Sequence, residues 1–122
     1  MGSHPVNLAV RFLLELSALA ALSSWAWHLT HNWPRFVFAL GLPILAAAIW
    51  GTFAVPDDPS RSGKAPIVVS GVVRLLIEFA LFGGAAVALY SLGWTRLGLG
   101  LILTTTLHYL VSYDRILWLI RR

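Results

Sequence analysis

Four apolar stretches, each long enough to cross a bilayer as a helix, constrain the fold of this 122-residue chain most strongly. A helical crossing needs about 20 mostly apolar residues. In lipid, only helices and closed barrels satisfy every backbone hydrogen-bonding group. The stretches are residues 5–28, 34–55, 67–92 and 95–120. The sequence therefore predicts an all-α membrane protein, a bundle of four transmembrane helices forming one domain over residues 5–122.

The composition excludes several classes of protein. Hydrophobic residues make up 58% of the chain and charged residues 11%, whereas soluble domains carry about 25% charged residues. The net charge of +4 is spread out with no basic run, so the lipid bilayer, and not nucleic acid, is the predicted partner. The absence of cysteine excludes disulfides, thiolate metal sites and cysteine nucleophiles. Residues 1–4 resemble an expression-tag remnant and are set aside.

Loop composition indicates the orientation of the bundle. The loop 56–66 contains three prolines and a glycine, which exclude a helix there, and its acidic pair Asp57-Asp58 is interpreted as a solvated turn. Positive charges lie in this loop and at the C-terminus (Arg61, Lys64, Arg121 and Arg122), and fewer lie on the opposite side (Arg35 and Arg96). The positive-inside rule then predicts that both termini are cytoplasmic.

The chain contains an internal repeat. Arg11-Phe-Leu-Leu-Glu15 and Arg74-Leu-Leu-Ile-Glu78 have the same spacing and lie 63 residues apart. A unit of two crossings returns to the side on which it began, so two copies share one orientation. The sequence thus predicts two parallel two-helix repeats, related by an axis along the membrane normal.

The two Arg–Glu pairs also predict a buried polar cluster. Spacing of four places both members of a pair on one helix face, with Glu15 and Glu78 about 15–18 Å from the cytoplasmic ends of their stretches. A charged side chain near a helix centre costs about 3 kcal/mol on insertion scales. We therefore expect these side chains to face inward and to pair, within each helix or across the bundle as Arg11 with Glu78 and Arg74 with Glu15.

Further polar and aromatic residues fall at the same depth. His108 and Tyr109 match the level of the two glutamates, whereas Tyr113, Asp114 and Trp50 match the level of the two arginines. The fourth stretch also carries a polar stripe at helical spacing, which comprises Thr104, Thr105, His108, Ser112 and Arg115. Such residues either hold the helices together or form a site for chemistry, and the sequence leaves both interpretations open.

Several short motifs resemble the YrdB-like family of small four-span bacterial membrane proteins. They are Arg11-Phe-Leu-Leu-Glu15-Leu16, Trp27, Gly41-Leu-Pro43, Trp50-Gly51-Thr-Phe53, Pro56 and Arg74-Leu-Leu-Ile-Glu78. The resemblance covers residues 5–92, and it implies a multi-pass protein of the bacterial cytoplasmic membrane. Most members of that family have no assigned function.

In size and span count the chain is also similar to the small membrane-bound terpene cyclases of bacterial meroterpenoid pathways. That resemblance implies protonation-initiated cyclisation of a hydrophobic, prenylated small molecule such as a prenylated indole or cyclic dipeptide. The chemistry needs a carboxylic acid, a dry cavity and aromatic faces that stabilise carbocations. No cofactor and no metal are predicted.

On this hypothesis the predicted site divides into two groups. The catalytic candidates are Glu15, Glu78, His108 and Asp114, and the substrate-binding candidates are Arg11, Arg74, Trp50, Tyr109 and Tyr113. Of the two glutamates, one remains ionised beside an arginine and the less well-paired one acts as the acid. His108 or Asp114 then supplies the proton or acts as the final base.

Two other functions remain open at this point. A membrane-embedded Glu15 can exchange protons in a small transporter, although Arg11 one turn away repels a cationic substrate. A structural or partner-binding membrane subunit is the other alternative, and the sequence leaves homo-oligomer formation open.

Overall fold

The computed structural model describes residues 5–29, 31–56, 58 and 66–122. Within them the helices are α1 (Pro5–Trp27), α2 (Pro34–Thr52), α3 (Gly71–Ser91), α4 (Thr95–Val111) and α5 (Tyr113–Ile120). The only strands there are β1 (Phe53–Ala54) and β2 (Ile67–Val68), which pair in parallel. The predicted all-α class is confirmed, and α1, α2 and α3 are each long and apolar enough to cross a membrane.

Local sequence explains where the helices begin and turn. Pro34 occupies the first turn of α2, where its missing N–H costs nothing. Ser70 caps α3 by accepting a hydrogen bond from the backbone N–H of Val73. Between α3 and α4, Gly93 adopts φ +79°, a conformation that favours glycine, so the chain reverses in three residues.

The polar connection between α2 and α3 is ordered at both of its ends. Phe53 pairs with Ile67 and Ala54 with Val68 in the parallel ladder. Consequently α2 ends at Thr52 and α3 starts at Gly71, several residues inside the predicted bounds 34–55 and 67–92. Periodic apolar residues at the ends of those stretches are used for strand pairing instead of helix.

The predicted single helix over 95–120 is corrected to two helices that meet at Ser112. Ser112 is fully buried, and its Oγ accepts a hydrogen bond from the side-chain amide of Asn7 on α1. Beyond the break, α5 packs along α3 and directs Arg115 into the interior. Tertiary polar contacts of this kind override local helix propensity, and hydrophobicity alone did not reveal them.

The apolar core is thin, and four of its nine residues are alanine. It comprises Leu14, Ala18, Ala21, Phe82, Ala85, Ala86, Leu89, Leu101 and Tyr109, drawn from α1, α3 and α4. Alanine at these positions lets helix backbones approach closely, as is common in membrane bundles. Large apolar side chains lie instead on the outside, and α2 exposes most of its surface, including Phe36, Leu40 and Ile44. Large apolar side chains on the outside are what helices surrounded by lipid would present.

Replacing Gly71 by alanine tests how α5 is docked. A Cβ atom at Gly71 would collide with the backbone carbonyl of Leu119 at the end of α5. We expect Gly71→Ala to lower the thermal stability of the purified protein in detergent by about 1–3 kcal/mol, the usual cost of overpacking.

The matched control is Gly84→Ala in the same helix, where an added Cβ meets no atom within 4 Å. Alanine there should be neutral or stabilising by about 0.5–1 kcal/mol, since glycine disfavours helix interiors. Equal melting temperatures for the two variants would mean that α5 is not held against Gly71.

Candidate functional site

A single buried carboxylate, that of Glu78 on α3, is the centre of the polar cluster. Its side chain is fully buried and forms ion pairs with three arginines on three helices. Arg11 Nη2 lies 2.8 Å from Oε1, Arg74 Nε 3.0 Å from Oε2, and Arg115 Nη2 2.5 Å from Oε2. The hydroxyl of Tyr109 on α4 donates to Oε1 at 2.6 Å. Glu78 is thereby held as an anion that links α1, α3, α4 and α5.

Arg74 extends this cluster to the C-terminal end of α2. Its Nη1 donates to the backbone carbonyls of Trp50 and Phe53, the latter at 2.8 Å. The carbonyl of Trp50 is among the last four of α2, which have no partner within the helix. The guanidinium also lies over the Trp50 ring, 4.3 Å from its centroid, and the Arg11 guanidinium lies 5.3 Å from the same ring. A positive charge here also complements the α2 dipole.

The far side of the cluster is closed by Asp58, which the sequence interpretation had made part of a solvated turn. That interpretation is wrong for Asp58, which is buried and binds Arg115 through both carboxylate oxygens, at 2.5 and 2.9 Å. Fork-to-fork geometry of this kind is the strongest arrangement of an arginine–carboxylate pair. Asp57 lies outside the described residues.

Of the three carboxyls in the cluster, Glu15 has the longest ion-pair distance. It lies 3.3 Å from Arg11 Nε, and 21% of its side chain remains exposed. Arg11 also contacts Glu78, at the shorter distance of 2.8 Å, so Glu15 shares the positive charge of Arg11 with a closer carboxylate. Both predicted pairs within a helix are therefore confirmed, as is the predicted cross-pair of Arg11 with Glu78. The other cross-pair is wrong: Arg74 pairs with Glu78 and not with Glu15.

The balance of charges lowers the free-energy cost of burying this cluster. Its three guanidinium groups match three carboxylates, those of Glu15, Glu78 and Asp58, so the network is formally neutral when all are ionised. Because α3 begins at Gly71, Glu78 lies about 10 Å from the end of its helix. Glu78 is thus closer to the start of its helix than the 15–18 Å predicted from a stretch that began at residue 67, because residues 67–68 form a strand.

The remaining predicted residues divide between the cluster and the surface. Tyr109 and Trp50 belong to the cluster, as described above. His108 lies beside it, 4% exposed, and within the described part of the chain neither ring nitrogen has a hydrogen-bond partner. Tyr113 is 65% exposed, and Asp114 is exposed as well.

The prediction that Tyr113 and Asp114 converge on the arginines is therefore wrong. Both lie in a shallow surface depression with Trp118. The predicted face was wrong, because residues one or two positions apart on a helix point in different directions. Arg115 faces the core instead, and its place in the polar stripe of the fourth stretch was the signal for it.

Two apolar hollows flank the cluster. The first, of about 330 Å³ between α3 and α4, is called here the α3–α4 pocket. Its lining is Phe79, Phe82, Gly83, Ile102, Thr105, Thr106, Tyr109, Leu110 and Ile116. The second, of about 610 Å³ between α1 and α4, is called the α1–α4 groove.

The α3–α4 pocket meets the cluster at Tyr109. The ring of this residue packs edge-on against Phe79 and Phe82, at centroid distances of 5.1 and 6.3 Å, while its hydroxyl reaches Glu78. Phe82 in turn contacts Trp50 at 5.8 Å. Thr105 also lines the pocket, and its buried hydroxyl has no partner among the described residues. An apolar pocket with a few convergent polar groups is the usual form of a small-molecule site.

Comparison with known proteins gives two findings. Residues 9–106 match the family described as "Protein of unknown function (DUF2568)". The chain is also 41% identical, over 98% of its length and 97% of the relative's, to "Uncharacterized protein YrdB" of Bacillus subtilis strain 168. No solved structure matches the chain.

Replacing Glu78 by glutamine tests whether this carboxylate supports the bundle. The neutral amide would leave three buried guanidinium groups with one fewer counter-charge, and breaking a buried ion pair costs about 3–5 kcal/mol. We expect Glu78→Gln to lower the melting temperature in detergent strongly, as followed by tryptophan fluorescence.

Glu15→Gln is the matched control, since it changes the same residue type at the exposed edge of the same cluster. Its cost should be well below that of Glu78→Gln, because Glu15 is partly exposed and Arg11 keeps the closer Glu78 as its partner. If the two variants melted alike, Glu78 would not be the central support of the fold.

Proposed function

We propose that this chain, which belongs to the DUF2568 family, is a membrane-embedded enzyme that cyclises a prenylated small molecule by protonation. One observation carries the proposal: the hydroxyl of Tyr109 connects an aromatic, apolar pocket with a buried ionised carboxylate. The family brings no assigned activity with it, so the proposal depends on this geometry.

The α3–α4 pocket suits an isoprenoid chain that passes through cationic states. Its aromatic members Phe79, Phe82 and Tyr109 offer ring faces and edges within one small volume. Aromatic faces attract cations, more strongly where water is excluded. A substrate dissolved in the bilayer can enter between α3 and α4 without crossing water, and a dry site protects carbocations from capture by water.

The two glutamates of the repeat divide their roles on this proposal. Glu78 is surrounded by four donor side chains and stays ionised, so it does not supply the proton. Tyr109 is the group that touches both Glu78 and the pocket, and we assign it as the proton donor. To donate to the substrate, the Tyr109 hydroxyl must leave its hydrogen bond to Glu78. The guanidinium groups of Arg11 and Arg115 then offset part of the repulsion between the phenolate and the Glu78 carboxylate.

The identity of the proton donor restricts the chemical class of the substrate. A phenol is a much weaker acid than a carboxylic acid, so it suits an epoxide oxygen better than an alkene carbon. The Tyr109 proton moves to the epoxide oxygen, the carbon–oxygen bond breaks, and the chain's double bonds close the rings. The final cation loses a proton to the Tyr109 phenolate, so the product is an isomer of the substrate and no co-reactant is consumed.

Glu15 regulates this step through charge. With Glu15 protonated, the three arginines face only two carboxylates, and the cluster carries one excess positive charge. That excess favours loss of the Tyr109 proton. Glu15 thus acts on Tyr109 only through its charge and does not touch the substrate.

We also infer that α4 is a fourth crossing and that both termini are cytoplasmic. α4 has 17 residues, at the short end of the roughly 17–25 that span a bilayer. Arg121 and Arg122 follow α5 at the side where α3 begins, while Trp33 and Trp94 are exposed at the opposite side. This arrangement fits the positive-inside rule and an outer aromatic belt, and it supports a location in the bacterial cytoplasmic membrane.

Tyr109→Phe tests the donor assignment. The ring is retained and only the hydroxyl is lost, so we expect conversion of a farnesylated indole bearing a terminal epoxide to fall by about 10²-fold or more. Tyr113→Phe is the matched control: this tyrosine is 65% exposed, and its loss should leave turnover unchanged. Products are measured by mass spectrometry after incubation with protein in lipid nanodiscs.

Either of two results would reject the proposal. Full turnover in Tyr109→Phe would remove the donor, and no conversion of the epoxide or the parent alkene by the unaltered chain would remove the activity. Gly83→Leu serves as a second variant that should abolish turnover, because its side chain fills the α3–α4 pocket and its Cβ meets no atom within 4 Å.

Glu15→Gln tests the charge argument separately. Glutamine fixes the neutral form, so this variant should keep its turnover at high pH, where the unaltered chain loses activity as Glu15 ionises. A parallel decline of both proteins with pH would show that Glu15 does not control the reaction.

A further inference from the structure

Three consecutive threonines on α4 differ in what their hydroxyls contact. Thr104 Oγ1 donates to the backbone carbonyl of Gly100, one turn earlier, at 2.7 Å, which is a common bond for a threonine within a helix. Thr106 is exposed. Thr105 is half-buried, and its Oγ1 is shielded from solvent and has no partner among the described residues. Thr105 therefore has a buried hydroxyl that its own helix does not use.

The residues around Thr105 leave its hydroxyl to a molecule from outside the chain. Thr105 lines the α3–α4 pocket, where the members from α3 are Phe79, Phe82 and Gly83. Apart from Thr106 and Tyr109, the described residues of this lining are apolar. Buried polar atoms are nearly always bonded in folded proteins, so the unpartnered hydroxyl indicates a ligand in the pocket. A threonine hydroxyl in a helix can change between two χ1 rotamers to meet it.

Thr105 and Tyr109 lie on the same face of α4. They are four residues apart, which places their Cβ atoms about 5–6 Å from each other, and both line the α3–α4 pocket. Side chains on a helix lean towards its N-terminus, so the side chain of Tyr109 extends towards the turn that carries Thr105. A single atom of a ligand can therefore contact both hydroxyls.

The lining also restricts the chemistry of the ligand. None of the described residues that line the pocket is charged, and an unpaired charge in an apolar site is costly, so the ligand is uncharged. A threonine hydroxyl has one O–H to donate, which an epoxide, ether, carbonyl or alcohol oxygen accepts.

We propose that Thr105 donates a hydrogen bond to an oxygen atom of the uncharged, otherwise apolar molecule that occupies the α3–α4 pocket. This inference rests on the proposed function, in which that atom is the epoxide oxygen that receives the Tyr109 proton. Two donors on one oxygen stabilise the charge that develops there as the carbon–oxygen bond breaks. Thr105 keeps its own proton, so the balance of the reaction is unchanged.

Binding is measured with the full chain in lipid nanodiscs, using two probes that cannot cyclise. One is the farnesylated indole with a terminal epoxide and its other chain double bonds reduced, and the second is the same molecule without the epoxide oxygen. Thr105→Val keeps the branched shape and removes only the hydroxyl. We expect it to lower the preference for the epoxide about three- to tenfold, the range expected for one hydrogen bond, while Thr105→Ser retains the preference.

Thr104→Val is the matched control. Thr104 lines the α1–α4 groove instead, and its hydroxyl is already bonded to Gly100, so this variant should keep the preference of the unaltered chain. If Thr105→Val kept that preference too, or if Thr104→Val lost as much of it, the proposal would be overturned.

The melting temperature of ligand-free Thr105→Val in detergent tests the premise. Removing a buried hydroxyl that has no partner breaks no hydrogen bond, so we expect the melting temperature to stay the same or to rise. A lower melting temperature would show that the hydroxyl is already bonded within the protein, and it would refute the proposal.

Turnover tests whether Thr105 and Tyr109 act on the same oxygen. Thr105→Val should lower kcat for the epoxide substrate at least tenfold, and an unchanged kcat would overturn the shared contact. The binding comparison needs no turnover. Failure of the proposed reaction, seen as absence of product, is therefore distinguishable from failure of this inference, seen as a binding preference that does not depend on Thr105.

Discussion

The buried Glu78 carboxylate is the interaction on which the rest of this structure depends. An isolated carboxylate in an apolar interior costs far more than folding can offset, so Glu78 requires its four donors. Those donors come from α1, α3, α4 and α5, and Arg74 brings in the end of α2 through two carbonyls. Lipid provides no hydrophobic drive between helices, so in a membrane this network and the small core shared by α1, α3 and α4 would hold the bundle together.

The same saturation decides where chemistry can occur. A carboxylate that accepts hydrogen bonds from two guanidinium groups and a phenol, and forms an ion pair with a third guanidinium, has no free position for a substrate. On the proposed function, reactivity is therefore left to two groups at the edge of the network: Tyr109, which lines the α3–α4 pocket and bonds Glu78, and Glu15 with its partial exposure. If the proposal holds, the cluster is structural at its centre and reactive at its edge, and both interpretations that the sequence left open apply to it.

Much of the helical framework follows directly from the sequence. The lengths of the apolar stretches, and the prolines and glycines that bound them, predicted α1, α2 and α3 and the turn at Gly93, because each depends on local chemistry alone. The spacing of four likewise predicted the pairs of Arg11 with Glu15 and Arg74 with Glu78. Trp50 was correctly placed at the arginine level from helix rise alone. Other features depend on contacts between distant residues and could not be predicted in this way. Asp58 looks like a loop residue until α5 brings Arg115 to it, 57 positions later. The break at Ser112 depends on Asn7 at the other end of the chain. Tyr113 and Asp114 lie on the exposed face of α5, which depends on the rotational position of the helix and not on spacing along the chain.

The two Arg–Glu pairs show how similar local sequences acquire different roles. Each pair has the same spacing, yet Arg11 and Arg74 both converge on Glu78, which leaves Glu15 with a shared partner. Arg115 adds a third charge on the Glu78 side and requires Asp58 to balance it. Once Glu78 has taken the arginines, Glu15 is the carboxyl whose protonation changes the net charge at the least cost. Two glutamates in the same local sequence therefore differ in their surroundings: Glu78 pairs with three arginines, and Glu15 shares Arg11 with it.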